Sequence, residues 1–254
     1  MVQEFSQVTK ALEVARNTFL LEFVSPEIAR SAAPGQFVNI KIDLSFSPLL
    51  RRPMSISDVE DNTVKILFNI VGRGTAILAR TNPGETIDVI GPLGHGFSLT
   101  EDIDLAILVG GGLGAAPFPF LTRELSRRNA TTLSFVGTRT ASQLALGGLQ
   151  NVAVATDDGS KGYRGTVVDL LRARLGEMRA RNARIFTCGP TPMLRALQHL
   201  VREIQIPCEA SFETPMACGI GLCQGCPVEV TDSSRRYKLS CKDGPVFDIT
   251  RIVI

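Results

Sequence analysis

Cys218, Cys223, Cys226 and Cys241 follow the spacing C-x4-C-x2-C-x14-C. A tetrahedral zinc site is usually pinched by two short C-x2-4-C pairs far apart in the chain. Here three thiols share one loop and the fourth stands alone, which is the plant-type [2Fe-2S] arrangement. Gly219, Gly221 and Gly225 let such a loop fold tightly and turn its backbone N–H groups toward the sulfurs. Structural zinc and unliganded thiols stay open as alternatives. Cys188 and Cys208 fall outside the spacing, and Cys208 reads as a small buried hydrophobe.

A one-electron centre needs an exchange partner, and two further stretches offer one. LVGGGLGAAP (108–117) follows an apolar strand and opens a helix. Its glycines, Gly110, Gly111, Gly112 and Gly114, would let a pyrophosphate approach the backbone at a helix N-terminus. The G-x-G-x-x-A match is weak alone, and a glycine-rich turn without a ligand is the bland alternative. Cys188-Gly189-Pro190 adds support, again at the carboxyl end of a strand, the edge where open α/β sheets bind ligands. A nicotinamide exchanges a hydride, which a [2Fe-2S] centre cannot accept, so a flavin must split the electron pair. RRPMSIS (51–57) supplies a candidate site: Arg52 can pair with a pyrophosphate bidentately and Ser55 can hydrogen-bond the edge of a flavin ring. Gly74-Thr75 opens a short helix, a second N-terminus for phosphate. An Arg-Pro turn without such a role is the alternative here.

Three regions must position these residues. Residues 1–100 contain FLLEFV, GQFVNIKI, TVKILFNIV and ETIDVIG, separated by Pro34-Gly35, Pro83-Gly84 and Gly91-Pro92. Short apolar runs with frequent turns predict an antiparallel barrel or sandwich with one short helix beginning at Thr75. Residues 101–206 alternate strand and helix: LAILVGG, a helix from Pro117 to Asn129, TTLSFVG, NVAVATDD, a helix over 166–183, RIFTCG, and a helix capped by Thr191 with Pro192 at its first position. That rhythm predicts a doubly wound parallel α/β domain. Residues 207–254 hold most of the cysteines and read as a small cofactor-stapled module with a strand-like end at VFDITRIVI. The expected fold is therefore multidomain, α+β and α/β.

A net charge of +2, from 27 basic and 25 acidic residues, gives no electrostatic reason for a nucleic-acid or membrane partner. No signal-peptide h-region opens the chain and no run of roughly 18 apolar residues interrupts it. The expectation is a cytoplasmic protein, where clustered thiols more often hold metal than form disulfides. His95 and His199 are the two histidines. Neither suggests proton transfer; His95 is expected to shape a loop and His199 to lie on a helix surface.

Taken in order, LLRRPMSI, GRGT, GPLGHGF, GGGLGAAP, TDDGS, CGPTPML, MACGIGLCQGC and SCKDGPVFD resemble the ferredoxin-reductase superfamily. More narrowly, they resemble the electron-transfer subunits of two-component, NAD-linked dihydroorotate dehydrogenases. The resemblance covers essentially the whole chain and implies FAD along Arg52, Pro53, Met54 and Ser55, with Phe68, Asn69 and Ile70 lining the same pocket and Gly74-Thr75 taking the pyrophosphate. It implies NAD at the glycines of 110–114 and at Cys188-Gly189-Pro190, and a [2Fe-2S] cluster on Cys218, Cys223, Cys226 and Cys241. The wider superfamily often carries an aromatic residue where this chain has Met54; an aliphatic there suits the narrower family. The implied partner is an FMN-containing catalytic subunit that oxidises dihydroorotate in pyrimidine (UMP) biosynthesis, in a heterotetramer of two copies of each. Electrons would pass from FMN to the cluster, to FAD and to NAD. The flavin/iron-sulfur subunit of a hydrogenase, a sulfide dehydrogenase or an NADH-dependent ferredoxin:NADP oxidoreductase is the alternative enzyme. A regulatory protein with structural zinc is the alternative from another class. NAD and NADP are not distinguished: Arg139 could meet a 2′-phosphate or water.

Overall fold

Alternating burial builds the first body. In the computed structural model, which describes residues 1–42, 47–99, 102–178, 182–231 and 235–254, six strands close a barrel: β1 (Val2–Ala15), β2 (Thr18–Val24), β3 (Phe37–Lys41), β4 (Arg52–Glu60), β5 (Thr63–Asn69) and β6 (Thr86–Leu93). Their order is β1-β2-β5-β4-β3-β6, and β1 closes the ring by pairing antiparallel with β6. Along β5 every second residue points inward, so Val64, Ile66 and Phe68 meet Leu21 and Phe23 of β2 and Val38 and Ile40 of β3. Burying each such side chain contributes about 1.5–3 kcal/mol.

Two helices cover the barrel instead of the single one expected at Thr75. Helix α1 (Pro26–Ser31) inserts Ile28 and Ala29 into the core, and α2 (Arg73–Leu78) starts two residues early and inserts Leu78. Strand β1 carries little apolar signal because only Ser6 and Val8 of its fourteen residues are buried.

The second body is a seven-stranded sheet. Its elements are β7 (Leu105–Gly111), α3 (Phe118–Arg127), β8 (Thr131–Thr138), β9 (Val152–Thr156), β10 (Tyr163–Arg164), α4 (Val167–Ala173), β11 (Ala183–Cys188), α5 (Thr191–Ile204) and β12 (Cys208–Ser211). After them come a two-stranded ribbon of β13 (Pro227–Glu229) and β14 (Tyr237–Leu239), then α6 (Ser240–Asp243) and β15 (Val246–Asp248). The order is β10-β9-β8-β7-β11-β12-β15, parallel except for the antiparallel edge strand β15. The sheet therefore runs across the division at 206, and the cysteine segment is threaded between two of its strands.

Three helix bounds in this body differ from expectation. The helix expected from Pro117 to Asn129 runs Phe118–Arg127, with Pro117 as its cap. The helix expected over 166–183 ends at Ala173, followed by a single 3-10 turn at Leu175–Glu177. Leu175 and Met178 still pack on the same core, but Gly176 disfavours continuation of the helix; residues 179–181 lie outside the described set. Helix α5 takes Pro190 as its cap, in extended conformation, so Thr191 is already helical and Pro192 is second.

Phe120 of α3 sits in the barrel core, and Arg123 forms an ion pair with Asp58 of β4. The barrel and sheet are thereby joined through a buried ring and a charged contact.

Candidate functional site

Strands β7 and β11 are neighbours at the centre of the sheet, where the strand order reverses, and Gly110 lies opposite Cys188 in register. The crevice at their carboxyl ends is where such sheets take ligands. The turns leaving the two strands touch: a Cβ on Gly114 would stand 2.1 Å from the Cys188 carbonyl oxygen. Only glycine permits that approach.

Against these turns the barrel sets the edge of β4 and β5. The result is one cavity of about 530 Å³, lined on the barrel side by Arg52, Pro53, Met54, Ser55, Phe68, Asn69 and Thr75 and on the sheet side by Gly111, Gly114, Cys188, Gly189 and Pro190. Its volume is ordinary for a small-molecule site. Arg52 donates to the Leu50 carbonyl at 2.6 Å, and Gly74 lies against its guanidinium, where a Cβ would come within 2.8 Å of Nε. The Thr75 hydroxyl accepts from the Val71 and Gly72 N–H groups at 2.9 and 3.3 Å, which fixes the turn into α2. Burial first, and the charge of Glu213 second, push the Cys188 thiol up to about 12 against a hydrogen bond from Ser211; it stays protonated.

Four expected residues, Ile70, Gly74, Gly110 and Gly112, are not on this wall. Ile70 instead accepts a hydrogen bond at its carbonyl from Asn17 Nδ2, at 3.2 Å. Gly74 backs Arg52, and Gly110 packs against Ala115 and Phe118. Gly112 lines a second cavity of about 430 Å³ with Thr138, Arg139 and Asp157, and with Arg16 and Asn17 from the β1–β2 turn. The two cavities share Asn69, Gly111, Leu113 and Pro190. The β1–β2 turn is held across the gap by the Arg16 N–H, which donates to the Ser142 carbonyl at 2.8 Å.

Between Ser211 and Pro227 the chain forms neither helix nor strand. It is shaped instead by hydrogen bonds to sulfur: Ile220 and Cys223 N–H donate to Cys218 Sγ at 3.5 and 3.4 Å, Gly221 N–H to Cys241 Sγ at 3.1 Å, and Gly225 N–H to Cys223 Sγ at 3.4 Å. Burial opposes ionisation of Cys218, but the N–H groups of Cys223 and Ile220, with others, outweigh it and bring the thiol down to about 6. Cys241 is pushed up to about 12, by burial first and then by Cys226. Among the described residues no three His, Cys, Asp or Glu side chains gather to hold a single ion. The cysteines are grouped as pairs: Cys226 and Cys241 sulfurs are 3.2 Å apart, and Cys223 bonds back to Cys218. Four thiols in two pairs, ringed by N–H donors, fit a two-iron cluster.

Several residues at the site were given no role by the sequence. Phe37 and Met216 line the first cavity and also pack with Cys226 and Cys241, so one layer of apolar side chains separates cavity from cysteines. Glu213 and Thr214 complete that wall. Asn39, buried in β3, donates to the Cys218 carbonyl at 3.2 Å and ties barrel to loop. His95 shapes a loop through its backbone, which donates to the Gly244 carbonyl at 2.5 Å, and His199 is exposed on α5. No helix among the described residues is long and apolar enough to cross a membrane.

A barrel, a doubly wound sheet and a cysteine loop meeting at one cavity define the ferredoxin-reductase class of fold. A solved structure described as the NADH-dependent reduced ferredoxin-NADP oxidoreductase matches with a TM-score of 0.85 and 27% identity, covering 98% of this chain and 90% of that one. A ferredoxin reductase in carbazole 1,9a-dioxygenase matches at 0.69 and 19% identity, over 81% of this chain and 67% of that one. Residues 213–253 match the model of the iron-sulfur cluster binding domain of dihydroorotate dehydrogenase B. The dihydroorotate dehydrogenase B (NAD(+)) electron transfer subunit of Desulforamulus reducens is 36% identical, over 98% of this chain and 97% of its own. That of Geobacillus kaustophilus is 38% identical, over 95% of each. The chain belongs to the family of NAD-linked dihydroorotate dehydrogenase B electron transfer subunits.

Proposed function

We propose that this chain carries electrons between a catalytic dihydroorotate dehydrogenase subunit and NAD. Arg52, Pro53, Met54, Ser55, Phe68, Asn69 and Thr75 hold FAD in the first cavity, with Gly74 backing the arginine. Gly111, Gly112, Gly114 and Cys188-Gly189-Pro190 receive NAD across the first and second cavities, with Gly110 packing the turn beneath. Cys218, Cys223, Cys226 and Cys241 hold the [2Fe-2S] cluster. In this assignment residues 1–100 serve the flavin, 101–206 the nucleotide and 207–254 the cluster.

When bound, these groups supply one-electron transfer at the iron, hydride transfer at the nicotinamide and interconversion of the two at the flavin. The residues do the rest. Arg52 is the cation available to a diphosphate, and the apolar faces of Phe37, Met54 and Phe68 suit a flat ring. The N–H groups around Cys218 and Cys241 stabilise negative charge on sulfur. A single observation carries the assignment: Phe37 and Met216 are at once wall of the cavity and neighbours of Cys226 and Cys241.

The partner in this reading carries FMN, oxidises dihydroorotate in pyrimidine biosynthesis and assembles as two copies of each subunit in the cytoplasm. The solved structure at 27% identity bears the other enzyme's description, but the full-length relatives at 36–38% favour the dihydroorotate reading. Co-expression with the catalytic subunit tests it. Dihydroorotate-dependent NAD reduction, with flavin and iron in the purified complex, is the expected result; a complex that reduces NAD with neither cofactor overturns it.

A further inference from the structure

The second cavity, of about 430 Å³, is walled by both bodies: Gly111, Gly112, Arg139 and Asp157 belong to the sheet, and Arg16 and Asn17 to the β1–β2 turn of the barrel. Of the side chains that line it, Arg16, Arg139 and Asp157 are charged at neutral pH. Among the described residues none of the three forms an ion pair, whereas Arg51, Arg123 and Arg184 each meet a carboxylate. Two cations against one carboxylate leave the wall positive.

The surplus sits on the barrel side. Arg139 and Asp157 directly follow the neighbouring parallel strands β8 and β9, and the Asp157 and Asp158 N–H groups donate to the Thr138 and Arg139 carbonyls at 3.1 and 3.2 Å. These two opposite charges stand side by side and offset one another. Arg16 has no such neighbour, because Glu13 of its own turn accepts from the Asn17 N–H at 2.7 Å.

The backbone under Arg16 is already ordered. Its N–H donates to the Ser142 carbonyl at 2.8 Å, Asn17 Nδ2 to the Ile70 carbonyl at 3.2 Å, and Thr18 Oγ1 to Asn69 Oδ1 at 3.1 Å. Asn17 takes the left-handed conformation, at φ 57°, which asparagine tolerates. The turn is thus tied to β5 and to the sheet, and only the arginine side chain remains to be ordered when an anion binds, which keeps the entropic cost small.

The diphosphate of a dinucleotide is doubly negative. The turn after β7 can offer N–H groups to one side of it, and a guanidinium can offer a planar fork of donors to the other. We infer that Arg16 is the barrel's own contact with NAD: its guanidinium meets the diphosphate of the ADP half from the side opposite the glycine turn, an inference that rests on the nucleotide assignment above. NAD then bridges the two bodies. Its ADP half is clamped in the second cavity, and its nicotinamide half reaches the first past Asn69 and Gly111, which line both. Arg16 binds the half of the molecule that does not react, so its contribution is the same before and during hydride transfer. Such uniform binding lowers KM and leaves kcat alone.

The test uses the purified holoprotein and Arg16→Gln. The KM for NADH and the inhibition constant of ADP-ribose should both rise on the order of 10- to 100-fold, the scale of a lost hydrogen bond to a charged group. Flavin bleaching at saturating NADH should keep its wild-type rate, with flavin and iron at wild-type content. Added salt should weaken ADP-ribose binding more in the wild type than in the variant. Arg16→Lys, which keeps the charge and loses the fork, should recover part of the affinity for both compounds. An unchanged KM, a raised KM with an unchanged ADP-ribose constant, slower bleaching at saturation, or loss of flavin in the variant would each overturn the inference. A wild-type protein that neither accepts hydride from NADH nor binds ADP-ribose would instead remove the nucleotide assignment beneath it.

Discussion

The cavity between barrel and sheet and the cysteine loop beside it lie on two sides of Met216, and they are built by opposite means. The cavity is assembled from regular structure: Ser55 and Met54 stand at fixed register positions opposite Phe37 and Val38, and the turns after β7 and β11 meet because two parallel strands end side by side. The loop has no ladder to lean on. Its backbone turns at positive φ, at Gly219 (73°) and Gly221 (84°), and its N–H groups are spent on sulfur. A site made by strand register exists before anything binds. A site made by bonds to four sulfurs depends on what those sulfurs hold.

That contrast can be broken most decisively at a cysteine. Cys223→Ser should remove the iron almost completely and leave FAD bound, read as iron and flavin per chain; loss of both together would show that the barrel depends on the loop. Gly114→Ala should come next. Its methyl would press on the Cys188 carbonyl at 2.1 Å, a backbone contact that cannot rotate away, and should cost about 3 kcal/mol. The denaturant midpoint would report the cost, and a raised KM for NADH would report the distorted turn. Arg52→Ala should weaken FAD by roughly 1.5–3 kcal/mol, the value of hydrogen bonds to a charged group. Flavin retention on dialysis measures it, and unchanged retention would take Arg52 out of the site. Smallest is Asn39→Ala. Removing the donor to the Cys218 carbonyl should cost about 1 kcal/mol, seen as faster hydrogen exchange in the loop with barrel protection intact. Equal acceleration in both would place Asn39 in the barrel's own stability.

The same contrast explains what was legible in the chain. LAILVGG announced a central strand because parallel strands buried on both faces read as unbroken apolar runs. The cysteines announced themselves by spacing alone. Strand β1 did not, because most of it is exposed, with Phe5, Leu12 and Val14 outside and only Ser6 and Val8 buried, so its apolar positions do not mark the inner face. Helix α1 was hidden because its six residues carry only Ile28 and Ala29 as buried positions and no glycine-led start of the kind that marked α2. Glu213, Met216 and Phe37 were given no role by the sequence; they become a wall only because the chain leaving β12 and the start of β3 line one cavity. Arg16 and Asn17 lie more than 90 positions from the glycines they face, and no local pattern connects them. In each case the missing information was long-range pairing.

Phe120 of α3, seated among barrel side chains and flanked by the Arg123–Asp58 pair, leaves little room for the two bodies to open like a book. The cavity side of the β1–β2 turn and the apolar layer of Phe37 and Met216 in front of the cysteines are thus carried on bodies pinned to each other by one helix.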